Sequence, residues 1–226
     1  MPHTTTFPAW PARQQVVDCG GPTIKRTQFS DTAAYHPQLI EALLEMERQG
    51  LRRSKFFHGG CGIKIYGTDE LDIPGARLIN ERAMELFRRA TGSASAVTDS
   101  CWANIYYKND YCMPHSHTRS TAAVVYMLDP GDPDPADPLD GKFCIVDPRV
   151  SSCCQIEQEV MSNPFMPDMQ PGSMLIFPGQ IVHCVNPYTG TRPRITLSWN
   201  INERTIPGSP DEAFRGSKGT IGDRPE

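Results

Sequence analysis

No run in the chain approaches the ~18 apolar residues needed to span a bilayer. The opening stretch MPHTTTFPAWPARQQ has neither a basic leader nor an apolar core. The reading is a soluble, cytoplasmic chain with no membrane partner. Positive charge is not in excess either: 22 Lys+Arg stand against 26 Asp+Glu, a net charge of −4. That leaves no electrostatic footprint for nucleic acid. Zinc-type CxxC pairs are also missing. The eight cysteines are scattered, and the adjacent Cys153 and Cys154 would face opposite ways on a strand, so free thiols in a reducing compartment are expected. No internal repeat is present. A length of 226 residues suits one domain with embellishments.

What the chain does have is turns: 39 of its residues are Gly or Pro, below the ~25–30% that marks disorder, which points to short strands joined by loops. Two helices precede them. HPQLIEALLEMERQG, residues 36–50, places Leu39, Leu43, Leu44 and Met46 at near-helical spacing and ends in a glycine. Residues 74–91 open on Pro74, carry the stripe Leu78, Ile79, Met84, Leu86 and Phe87, and stop at Gly92. Between them SKFFHGGCGIKIYG reads as strand and turn. From Cys101 the texture becomes β, through CWANIYY, STAAVVYML, GKFCIVD, SMLIFPG, IVHCV and RITLSWNI. The fold class is therefore mainly β with N-terminal helices. Residues 1–95 read as an embellishment, 96–202 as the core and 203–226 as a polar tail. The segment 129–141, DPGDPDPADPLDG, lacks the spacing of a calcium loop and reads as a solvated connection.

Chemistry concentrates in PHSHTRS and IFPGQIVHCV. His115 and His117, two apart at the start of the apolar run 121–128, would share one face of a strand and could grip one metal ion. A third ligand must come from elsewhere, and His183, 66 residues on, is placed to supply it. Arg194 follows eleven residues later on RITLSWNI, with Thr196 on the same face. A guanidinium entering a β-core calls for an anion, and a carboxylate-bearing ligand would bind it bidentately. Arg192 has the same parity but lies nearer the turn.

WANIYYKNDYCMPHSHTRSTAAVVYML, GKFCIVDPR and PGSMLIFPGQIVHCVNPYTGTRPRITLSWNI, in that order, resemble the iron(II)/2-oxoglutarate-dependent oxygenases, in the branch with a His-x-His segment in place of His-x-Asp. The resemblance spans roughly residues 100–202. It implies a double-stranded β-helix, the jelly roll of the cupins, with the metal at its open end. It also implies Fe(II) and 2-oxoglutarate as cofactors, O2 and a small molecule as substrates, and hydroxylation of an unactivated C–H bond with release of succinate and CO2. Metal ligands would be His115, His117 and His183. The cosubstrate would meet Arg194, with hydrogen bonds from Thr196, Tyr106 and Asn104. A histidine where the pattern has a carboxylate raises the formal charge of the centre by one, which favours anionic ligands. Such a site should lose iron below about pH 6, where imidazole protonates.

Several alternatives stay open at this level. Asp110 can fold back as the carboxylate ligand, or His117 can swing away and leave a halide position. The protein can also be a three-histidine cupin-type dioxygenase that uses no 2-oxoglutarate, or a metal-containing binding barrel without turnover. His58, Arg119 and Tyr126 are the candidate substrate contacts, with Lys64 and Arg149 as further mouth residues. Trp102 and Trp199 read as core anchors. The substrate and the oligomeric state are not legible.

Overall fold

The computed structural model describes residues 8–18, 23–51, 53–55, 60–117, 119–146 and 165–207. His58, Arg149, Cys153, Cys154 and the tail from 208 lie outside the described residues. Twelve strands are described: β1 Val17–Asp18, β2 Lys25–Gln28, β3 Arg53–Lys55, β4 Gly60–Cys61, β5 Ile63–Tyr66, β6 Val97–Tyr106, β7 Tyr111–His115, β8 Ala122–Asp129, β9 Phe143–Ile145, β10 Ser173–Pro178, β11 His183–Val185 and β12 Arg194–Asn202. Two α-helices, α1 His36–Arg48 and α2 Pro74–Thr91, stand among them. All strand pairings are antiparallel: one sheet runs β1-β2-β10-β8-β12-β6-β5-β3, the other β4-β7-β11-β9. Four of the eight strands of the large sheet come from before residue 96, so the N-terminal region is built into the main sheet and does not merely decorate it.

Helix limits follow their local signals. Pro74 sits in the first turn of α2, where its missing N–H costs nothing, and Gly92 (φ 75°) closes it in the left-handed conformation. α1 ends at Arg48, before Gly50 at φ 69°. Among the described residues no helix is long and apolar enough to cross a membrane.

Strand alternation divides the interior in two. Cys101, Ala103 and Ile105 on β6, Val124, Tyr126 and Leu128 on β8, and Ile195, Leu197, Trp199 and Ile201 on β12 pack against Leu39, Leu43, Ile79, Ala83, Leu86 and Phe87 of the helices. The residues between them turn the other way. Ala123, Val125 and Met127 join Phe143, Ile145, Leu175 and Phe177 in a second core. Near the far edge of that layer, polar side chains replace apolar ones. The aspartates of 129–141 are consumed in turn-making: Asp129, Asp134 and Asp137 each accept a backbone N–H two residues on, and Asp140 accepts those of Asp134 and Thr189.

Candidate metal centre

β12 and β6 lie side by side in the large sheet, with Arg194 opposite Tyr106, Thr196 opposite Asn104 and Ser198 opposite Trp102. Their polar residues line a single cavity with Lys64 of β5, His115, His117, Phe143 and His183. The cavity encloses about 480 Å³ of empty space, its opening included. No Asp or Glu is among its lining residues.

His115 and His183 are cross-strand partners on β7 and β11. Their meeting with His117 does not follow the strand geometry read from the sequence. His115 ends β7, and His117 lies in the connection to β8, so the two do not alternate along one strand. A turn brings them together instead. The His117 N–H donates to the Gly179 carbonyl at 2.7 Å, and the His117 carbonyl accepts from Ser120 N at 3.2 Å. Gly179 is needed there: a Cβ would stand 2.2 Å from the Ser120 carbonyl oxygen and 2.7 Å from that of His117.

The His117 Nε2 lies 3.3 Å from the His115 Nε2 and 3.2 Å from the His183 Nε2. Two nitrogens bound at about 2.1 Å to one ion stand about 3.0 Å apart at a right angle and about 3.4 Å apart at the tetrahedral angle. The measured spacings fall between. The other ring nitrogens are all held: Nδ1 of His115 by the Met113 carbonyl at 2.9 Å, Nδ1 of His183 by the Ile181 carbonyl at 3.0 Å, and Nδ1 of His117 by the Asn200 Oδ1 at 2.5 Å. Each acceptor calls for Nδ1–H, which leaves three Nε2 lone pairs convergent. Burial keeps the rings neutral. It lowers the pKa of His117 to about 4 and of His183 to about 3, with positive neighbours adding to the effect, and lowers that of His115 as well. Among the described residues this is the only His/Cys/Asp/Glu group that converges as a metal-binding cluster. Asp110 is elsewhere, its carboxylate accepting the Tyr107 N–H at 2.8 Å.

Arg194 is 3% exposed, and its Nη1 is buried without a hydrogen-bond partner. The Tyr106 ring lies 5.7 Å from its guanidinium carbon, and burial pulls its pKa down. A buried cation with an open donor fits an anionic ligand entering the cavity. Beside it Asn104 donates to Thr196 Oγ1 at 3.2 Å and Ser198 Oγ at 3.1 Å, while the Trp102 indole N–H donates to Asn104 Oδ1 at 3.0 Å. Arg192, in contrast, is a surface residue paired with Asp129 at 2.7 Å.

The cavity thus gathers His115, His117, His183, Arg194, Thr196, Tyr106, Asn104 and Lys64. Two proposed substrate contacts fall outside it. Tyr126 shares the parity of Val124 and Leu128, so it faces the helices, where its hydroxyl bonds His36 Nε2 at 2.6 Å. Arg119 is drawn outward and donates to the Pro207 carbonyl at 3.0 Å. Trp102 is more than a core anchor. Its ring stacks on His117, centroids 5.9 Å apart and planes within 9°, with Lys64 Nζ 4.7 Å from the Trp102 ring centroid. Trp199 does fill the helix-facing core. Ser198 and Asn200, missed from the sequence, continue the two-residue step that singled out Arg194 and Thr196, so the signal was present.

The model of a putative 2OG-Fe(II) oxygenase family matches residues 100–200. No curated protein matches the chain. Among solved structures, a prolyl-4-hydroxylase from Pseudomonas putida is similar with a TM-score of 0.56 and 16% identity, covering 81% of this chain and 94% of that one. A prolyl hydroxylase from Trichoplax adhaerens, in complex with a hypoxia inducible factor peptide fragment, gives 0.55 and 14%, over 79% and 83%. The non-heme alpha ketoglutarate dependent carbocyclase SnoK from nogalamycin biosynthesis gives 0.58 and 12%, over 89% of each. At these identities the likeness is one of fold.

Proposed function

We propose that the chain is a 2OG-Fe(II) oxygenase, using Fe(II) and 2-oxoglutarate as cofactors, as the family model over residues 100–200 supports, and that it hydroxylates an unactivated C–H bond of a small molecule. In this reading the two sheets form the jelly roll of the family, in a single domain whose catalytic part is 96–202. His115, His117 and His183 hold the iron, and Arg194 holds the far carboxylate of 2-oxoglutarate. When bound, iron(II) with 2-oxoglutarate and O2 supplies the oxidising power for hydroxylation, with succinate and CO2 as by-products. The single observation that carries the reading is the buried, unpartnered Nη1 of Arg194 in the same cavity as three convergent Nε2 atoms.

The chain's own residues have separable tasks. The three imidazoles bind as neutral donors, with no proton to be expelled at neutral pH. Arg194 and Thr196 would bind the far carboxylate of the cosubstrate, and Tyr106 closes the wall beside them. Phe143, packed at 5.5 Å on the His183 ring, keeps water from the inner side of the ligand set. Small-molecule turnover is supported by the likeness to SnoK, against which stand the prolyl hydroxylases, one of them complexed with a peptide. A reducing cytoplasmic setting accords with the free thiols of Cys61, Cys101, Cys112, Cys144 and Cys184.

The test is 2-oxoglutarate-dependent succinate formation by Fe(II)-loaded protein, with alanine at each of His115, His117 and His183. Loss of both metal binding and succinate in all three is expected. Full metal loading of the His117→Ala protein would reject the three-histidine set, and metal binding with no succinate under any condition would reject the use of 2-oxoglutarate.

A further inference from the structure

Of the three ligand-bearing rings, two are oriented by carbonyls within their own chain segment, Met113 for His115 and Ile181 for His183. His117 alone depends on a distant side chain. Its Nδ1 is held by Asn200 Oδ1, 83 residues away on β12. His117 also sits outside any strand, so no sheet pairing sets the direction of its ring.

β12 is shaped to present that amide. The β12–β6 register runs evenly from Arg194–Tyr106 to Asn200–Ser100 and then skips, so that Ile201 faces Thr98 and Asp99 is left over. Bulges of this kind bend a strand and re-aim side chains beside functional sites. Here the skip follows Asn200 directly. The second constraint on the ring is Trp102, stacked within 9° of its plane, which limits tilting but does not distinguish the two flips of the ring about Cβ–Cγ. A hydrogen bond to Nδ1 selects one of them. It also leaves Nε2 without a proton and pointing at the other two nitrogens, 3.2 and 3.3 Å away.

We propose that Asn200 is the positioning residue for His117, its side-chain oxygen fixing the tautomer and flip of the ring that occupies the place of the usual carboxylate ligand. The proposal rests on the three-histidine reading above. Asn200 touches neither metal nor substrate in this role; it acts through the imidazole. Because the acceptor is neutral, as are the Met113 and Ile181 carbonyls, no ligand ring is paired with a carboxylate, and the centre keeps its full positive charge for an anionic cosubstrate.

The experiment titrates Co(II) into the metal-free full-length protein, following its visible ligand-field spectrum, with thermal unfolding as a check on the fold. Asn200→Leu, matched in size but without an acceptor, should weaken Co(II) binding ten- to a hundredfold, the usual effect of removing the group that orients a ligating histidine. Asn200→Asp, which keeps an acceptor oxygen, should stay within about threefold of the parent and show its spectrum. Co(II) affinity in Asn200→Leu within threefold of the parent would overturn the proposal, as would an equal loss in Asn200→Asp and Asn200→Leu. His117→Ala runs alongside. If it binds Co(II) like the parent, the three-histidine reading has failed; if it loses Co(II) while Asn200→Leu does not, only the role of Asn200 has failed.

Discussion

A single side chain, Arg194, carries the sharpest consequence. Its guanidinium is buried with Nη1 unpaired, so its worth appears only when an anion arrives. Charge-assisted hydrogen bonds contribute about 1.5–3 kcal/mol each. Arg194→Met should therefore weaken 2-oxoglutarate binding by roughly two orders of magnitude, measured by anaerobic titration of the Mn(II)-loaded protein, with metal affinity nearly unchanged. Equal 2-oxoglutarate affinity in the two proteins would contradict this. The histidines make a second prediction. Protons compete with metal only below the pKa of the empty site, and burial lowers all three rings, His117 to about 4 and His183 to about 3. Co(II) affinity should therefore fall less between pH 7 and pH 5 than free imidazoles would give, and most steeply near pH 4, in a competition titration across that range.

At the scale of elements, the site depends on how a loop and two sheets are brought together. The connection bearing His117 is pressed against the turn at Gly179, where a methyl group would meet two carbonyl oxygens. Gly179→Ala should cost about 1–3 kcal/mol of stability, seen in urea unfolding, and should weaken Co(II) binding because the His117 loop must yield. Stability loss with unchanged metal affinity would mean that the turn supports the fold and not the ligand. This contact was not readable in the chain. The Pro178-Gly179 pair at the end of β10 signals a turn, but which loop packs on it depends on sheet packing between segments far apart in the chain. The strands themselves were legible because apolar and polar residues alternate along β6 and β12. β1 and β2 were not, being two and four residues long and short of apolar alternation.

For the whole molecule, the network between helices and sheet sets acid stability. His36, the buried first residue of α1, bonded to the Tyr126 hydroxyl, has its pKa lowered to about 4 by desolvation. A folded-state pKa below the unfolded value means the unfolded chain takes up protons first as pH falls. Stability from His36 and the empty-site histidines is thus complete above about pH 6.5 and lost as pH falls toward about 4 for His36 and His117 and about 3 for His183, with a slope of at most about 1.4 kcal/mol per pH unit for each group. Urea midpoints of metal-free protein should fall through that window, and His36→Gln should flatten the slope. Added Mn(II) or Co(II) should raise the melting temperature by mass action, more at pH 7 than at pH 4. In the same layer Arg82, fully buried, pairs with Asp31 and donates to the Tyr35 hydroxyl at 2.7 Å. Arg82→Met should destabilise the protein by about 3 kcal/mol, in line with breaking a buried pair, while leaving 2-oxoglutarate affinity intact.

The chain alone determined the periodicities, and with them the two helices, the β-rich core and the spacing of two histidines, a third histidine and an arginine along it. It also determined that Arg194 and Thr196 share a face, since parity on a strand is a local property. Which face looks into the cavity was decided only by packing. Tyr126 and Trp102 show the difference: both sit on apolar strands, yet one is turned to the helices and the other against His117. The partners of the ligand rings were likewise decided by tertiary structure, because a hydrogen bond from His117 to Asn200 joins residues whose nearness exists only after loop and sheet have closed on each other.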